Sequence, residues 1–123
     1  MFKDKVAVVT GGALGIGKSV TQEFAKAGAK VAFIDMNRTA GEDTKNSIIE
    51  NGGEALFFFG NIAKEQTLKD FANKVIEHYG HIDYLINNAM ISNKGILSGC
   101  GYEDFNEVLH VGITAPYMLT KLF

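Results

Sequence analysis

The stretch V-A-V-V-T-G-G-A-L-G-I-G, Val6 to Gly17, decides how this chain is read. Its first five residues are small apolar and β-branched side chains without a break. Such a run suits a strand of a parallel sheet covered on both faces. Four glycines follow within seven residues. Ile16, Val20 and Phe24 then repeat at four-residue spacing, which predicts a helix. In a strand–loop–helix unit that binds a nucleotide, each Gly has a physical task. Gly11 permits the tight turn, Gly15 lets the backbone approach a pyrophosphate, and Gly17 lets the helix pack close to the strand. Leu14 and Ile16 complete the loop. Phosphates would meet the free N–H groups and positive dipole end of the helix, worth about 0.3–1 kcal/mol per charge at an exposed site. A plain Gly-rich turn is the competing reading, and the glycines alone are weak support.

An acid in the right place strengthens the nucleotide reading. Asp35 ends the next apolar run, Lys30 to Asp35, about 20 residues after the glycine loop, where a carboxylate accepts hydrogen bonds from adenosine ribose hydroxyls. The same charge repels a 2′-phosphate, and neither Leu14 nor Met36 supplies a cation to attract one. Arg38 lies nearby as the one cation that does not fit this reading. The expected ligand is therefore NAD(H) rather than NADP(H).

Two further apolar runs, Ala55 to Phe59 and Ile82 to Asn87, read as strands. Helical patterns separate them. Leu68, Phe71, Ala72, Val75, Ile76 and Tyr79 make a full stripe, and Thr39 to Asn51 is a more polar helix. Gly28, Gly52 and Gly80 stand where helices should end. Strict alternation of strand and helix predicts an α/β fold with a doubly wound parallel sheet in one domain, residues 1–123. The segment from Ser92 to Gly101 is Gly-rich and reads as a mobile loop. The last helix runs from Glu103 into Y-M-L-T-K-L-F.

Composition excludes several classes. The formal charge of -2 argues against a nucleic-acid or anionic-membrane partner, either of which needs a basic patch. No apolar run reaches the roughly 20 residues that span a bilayer. M-F-K-D-K before the first strand is too short and polar for a signal peptide. The single cysteine, Cys100, excludes an internal disulfide and fits a reducing cytoplasm. His78, His81 and His110 have no metal-ligand spacing with it.

With these residues placed, the sequence resembles the short-chain dehydrogenase/reductase family. T-G-G-A-L-G-I-G matches that family's T-G-x-x-x-G-x-G. I-D-Y-L-I-N-N-A, Ile82 to Ala89, matches the strand ending in N-N-A-G. G-N-I-A stands where the family has an Asp that touches the adenine, here Asn61 followed by Ile62. V-L-H-V-G-I-T-A-P-Y matches the V-N-x-x-G-x-F helix. The resemblance implies a Rossmann-like sheet of about four strands in order 3-2-1-4, without the C-terminal half of the family fold. It implies a nicotinamide dinucleotide held by Gly11, Leu14, Gly15, Ile16, Gly17, Asp35, Asn61, Ile62, Asn88 and Ala89.

The departures also carry information. Met90 replaces the Gly of N-N-A-G, and Gly112 replaces the family's catalytic Asn. The family's catalytic Ser and Tyr-x-x-x-Lys follow a fifth strand, and this sequence stops before them. Tyr117 and Lys121 have the Tyr–Lys spacing, but they fall in the preceding helix. No catalytic residue is therefore assigned. The expectation is a truncated member that holds NAD(H) through its nucleotide-binding half without turnover of its own. The alternatives are a self-associating interaction protein that has lost the cofactor, and an active enzyme with an unrelated chemistry or one completed by another chain. The last helix is apolar almost all round, from Phe105 to Phe123, and the fourth strand would lie at a sheet edge. Both features predict self-association, as a homodimer or larger.

Overall fold

Strand β1 (Val6–Thr10) is one of two inner strands of the sheet, and all five of its residues are buried. The computed structural model describes residues 1–91 and 99–123, so most of the predicted mobile loop lies outside the described residues. The elements that follow are α1 (Gly15–Lys26), β2 (Lys30–Asp35), α2 (Arg38–Glu50), β3 (Glu54–Phe59), α3 (Glu65–Tyr79) and β4 (Tyr84–Ile86). The last stretch is α4 (Tyr102–Leu109), a π-helical turn (His110–Thr114) and α5 (Ala115–Leu122). The strands form one parallel sheet in the order β3-β2-β1-β4, as the alternation and the resemblance together predict.

Strand alternation divides the core between two faces. Val8, Ala32 and Ile34 point to one face, where Leu68, Phe71 and Val75 of α3 meet Val111, Ala115 and Leu119. Ala7 and Val31 point to the other, against Ala25 and Ile48. Beside them, Phe33 stacks on Phe57 at 5.1 Å. Gly41 of α2 lies so close to the Phe57 ring that a side chain there would collide with it.

Three predicted features differ in detail. The buried face of α1 is Gly17, Thr21 and Ala25 rather than the Ile16, Val20, Phe24 repeat. The helix lies close to the sheet, and only small side chains fit beneath it. Phe24 leans to the edge, where it meets Phe2 at 5.1 Å and Tyr84 at 5.8 Å, while Ile16 is 78% exposed. Strand β4 is shorter than Ile82 to Asn87, because side chains take over the pairing at both ends. The Asp83 carboxylate accepts the Val6 N–H at 2.8 Å, and the Asn88 N–H donates to the Thr10 hydroxyl at 3.1 Å. The last helix widens midway, where the Ala115 N–H reaches back five residues to the His110 carbonyl. Pro116, which has no N–H to donate, follows at once. This helix buries Val111, Ala115 and Leu119, and leaves Phe105, Ile113 and Tyr117 largely exposed. It is thus covered on one side.

Asp83 joins the start of β4 to the start of β1. Its backbone N–H also donates to the Val6 carbonyl at 2.9 Å, and Lys5 and His81 lie at 3.5 and 3.2 Å. The Val6 N–H holds the Asp83 carboxyl below its usual range, and burial opposes it. A depressed carboxylate pKa stabilises the fold above the unfolded value of about 3.9 and loses that effect as pH falls through the folded value. Asp83→Asn should therefore lower the urea midpoint at pH 7, with the gap to wild type closing as pH falls below 4. A gap independent of pH would show that the Asp83 charge does not link these strands.

Candidate functional site

Four strand ends converge at the carboxyl edge of the sheet, and their loops enclose a cleft of about 370 Å³. The cleft lies where neighbouring strands β1 and β4 send their connections in opposite directions, the usual place for a ligand in an open α/β sheet. From the loop after β1 and the first turn of α1 come Gly11, Leu14, Ile16 and Gly17. Asp35 comes from the end of β2, Asn61 and Ile62 from beyond β3, and Asn88 and Ala89 from beyond β4. Nine of the ten candidates thus line one cavity. Gly15 stands just outside the lining, at the first position of α1, with open space where a side chain would be.

The glycine loop has the conformation its residues permit. Gly11 has φ +67° and Gly15 has φ +57°, a region that costs other residues strain. A side chain on Gly17 would collide with the Gly11 carbonyl and the Asn88 amide. Its absence lets α1 begin directly against the end of β1. Leu14 occupies the N-cap position and makes no side-chain cap. A leucine has no oxygen to offer, so the first-turn N–H groups are left for another acceptor. An uncapped helix start facing a cleft, with no side chain on its glycines, fits an anion such as a pyrophosphate.

The polar side chains of the cleft are already engaged with backbone. Asp35 accepts the Ala13 N–H at 3.1 Å on one oxygen and the Asn37 N–H at 2.9 Å on the other. Asn61 accepts the Ala63 N–H at 2.9 Å. Asn88 donates its side-chain amide to the Thr10 and Gly11 carbonyls at 3.1 and 3.3 Å. The Thr10 hydroxyl accepts the N–H groups of both Asn88 and Ala89. Each carboxylate oxygen keeps a free lone pair, so Asp35 retains the capacity to accept a ligand hydroxyl.

Ile34, Gly60, Ile91 and Val111 also line the cleft; Gly60 and Val111 stand inside the quoted G-N-I-A and V-L-H-V-G-I-T-A-P-Y stretches, but the sequence names none of the four as a site residue. They arrive by packing: Val111, for example, is brought in by the last helix. Met90 lies on the rim, 78% exposed. Gly112 sits in the π turn with open space where a side chain would be. Arg38 places its guanidinium 4.2 Å above the Phe59 ring. Among the described residues there is no cluster of His, Cys, Asp and Glu fit for a metal, and no helix is long and apolar enough to cross a membrane.

The family model for short chain dehydrogenases matches residues 5–123. An uncharacterized oxidoreductase of Thermotoga maritima is 38% identical over 120 residues, which is 98% of this chain and 47% of that one. Human 15-hydroxyprostaglandin dehydrogenase, named with NAD(+), is 40% identical over 92 residues, covering 73% of this chain and 35% of the relative. Among solved structures, a short chain dehydrogenase from Burkholderia cenocepacia in complex with NADP superposes with TM-score 0.93 at 27% identity, over 98% of this chain and 50% of that one. A metagenomic short-chain oxidoreductase in complex with NADP also gives 0.93, at 28% identity over 99% and 56%. The chain spans about half the length of the curated relatives it matches. Its sheet order, glycine loop and matched residues agree: the chain belongs to the short chain dehydrogenase family.

Proposed function

We propose that the cleft binds a nicotinamide dinucleotide through its adenosine diphosphate half, as the cofactor-binding part of an oxidoreductase. The convergence of an uncapped helix start and Asp35 on one cavity carries this reading. The first-turn N–H groups of α1 hold the pyrophosphate, and Gly11, Gly15 and Gly17 admit it. Asp35 accepts the ribose hydroxyls. Asn61 and Ile62 border the adenine, and Asn88 and Ala89 border the side toward β4. When bound, the dinucleotide supplies hydride chemistry. Among the described residues, the polar side chains lining the cleft are Asp35, Asn61 and Asn88, and none is assigned as a proton donor. We therefore assign binding, without turnover, to these 123 residues alone, in the cytoplasm.

Asp35 favours NAD(H) through repulsion of a 2′-phosphate. Two observations support the opposite preference: Arg38 lies close by, and solved relatives carry NADP. Titration calorimetry with NADH and NADPH decides between them. NADH should bind at least about tenfold more tightly, a difference of about 1.4 kcal/mol, and Asp35→Ala should shrink that ratio. Equal binding of the two, or tighter NADPH, would reverse the preference. Binding of neither would leave the reading of an interaction protein.

The exposed side chains Phe105, Ile113 and Tyr117, and the single-sided pairing of β4, support self-association. Sedimentation at micromolar concentration should give a dimer or larger species, and Ile113→Asp should shift it toward monomer. A monomeric wild type would contradict this.

A further inference from the structure

Ala13 carries no functional group, yet both of its backbone groups are held by side chains from other elements. It is fully buried. Its N–H donates to Asp35 Oδ2 at 3.1 Å, and its carbonyl accepts the Thr44 hydroxyl at 3.1 Å. Thr44 is on α2, is 1% exposed, and does not line the cleft. The other Asp35 oxygen accepts the Asn37 N–H at 2.9 Å, and the Asn37 side chain in turn caps α2 by accepting the Ala40 N–H at 3.0 Å. These bonds close a ring. The glycine loop is tied at one residue to the end of β2 and to the second turn of α2, while Asp35 also ties β2 to the start of α2.

The ring changes what Asp35 does. A carboxylate that only touched ribose would matter to the ribose alone. Here the same carboxylate holds the backbone two residues before the first turn of α1, where the phosphates are proposed to bind. From this geometry we infer that Asp35 and Thr44 are positioning residues for the phosphate loop. Thr44 acts at a distance through Ala13, and Asp35 acts both through Ala13 and directly. Losing the Thr44 hydroxyl frees the Ala13 carbonyl in a buried place, and the loop must move to satisfy it. The inference rests on the proposed nucleotide site, and it makes phosphate affinity depend on a residue that never meets the ligand.

Two nucleotides separate the two roles of Asp35: ADP, and 2′,3′-dideoxy-ADP, which has the diphosphate but not the ribose hydroxyls. Affinities are measured by calorimetry for the 123-residue chain and for Thr44→Val, Thr44→Ser and Asp35→Asn, with folding checked by circular dichroism. Thr44→Val should weaken both nucleotides about fivefold, with their ratio unchanged, while Thr44→Ser stays within about twofold of wild type. Asp35→Asn should weaken even the dideoxy nucleotide, although removing a negative charge by itself favours a phosphate. A merely structural role would lower the thermal midpoint without altering affinity in the folded chain or being rescued by Ser. Wild-type affinity in folded Thr44→Val, or an Asp35→Asn loss confined to ADP, would overturn the inference. Should Thr44→Val fail to fold, the dideoxy comparison with Asp35→Asn decides alone. If the wild type bound neither nucleotide, the nucleotide site itself would be refuted and the inference with it, a result distinct from binding indifferent to the variants.

Discussion

The rest of this structure depends on how closely α1 approaches the end of β1. That approach requires Gly17 to lack a side chain, because the Gly11 carbonyl occupies the space one would need. With the helix set so close, its sheet-facing residues must be small, and they are: Gly17, Thr21 and Ala25. Thr21 meets the remaining polar demand by donating its hydroxyl to the Gly17 carbonyl at 2.8 Å. The helix start is thereby aimed into the cleft, and its N-cap, Leu14, leaves the first-turn donors without a side-chain acceptor. A local packing constraint and a helix start open to an acceptor are thus linked at the same glycine loop.

The opposite wall of the cleft is fixed by side chains standing in for the sheet. Beyond Ile86 the β1–β4 ladder ends, and the Thr10 hydroxyl and Asn88 amide continue it with four hydrogen bonds. At the other end of the same pair, Asp83 plays the corresponding part at Val6. Three ladder pairs would be a short join for the strand that borders the site. The flanking polar residues extend it without requiring more strand.

Much of this was legible in the sequence, for definable reasons. Buried parallel strands must be apolar on both faces, so β1 and β2 stood out with their exact bounds. The glycine spacing reflects backbone geometry that few other residues allow, so the loop was readable too. The α1 face was not, because hydrophobic periodicity marks large side chains and this interface selects small ones. The π turn was hidden because a widened turn has no strong sequence mark of its own, and Pro116 alone is compatible with several helix distortions. The sequence proposes Asp35 as a ligand acceptor, but its bonds to Ala13 and Asn37 run to backbone groups, which every residue has and no motif records. Ile34, Ile91 and Val111 reach the cleft through tertiary packing of ordinary apolar residues.

The central claim is that a dinucleotide lies across the glycine loop with its ribose at Asp35. Amide chemical shifts of the labelled chain during titration with NADH test it residue by residue. The account predicts the largest changes at Gly11, Gly15, Ile16 and Gly17, with further changes at Asp35 and Asn61. Saturating changes confined to other parts of the molecule, such as the far ends of α1 and α2 around Lys26 and Asn51, or none at all, would contradict it.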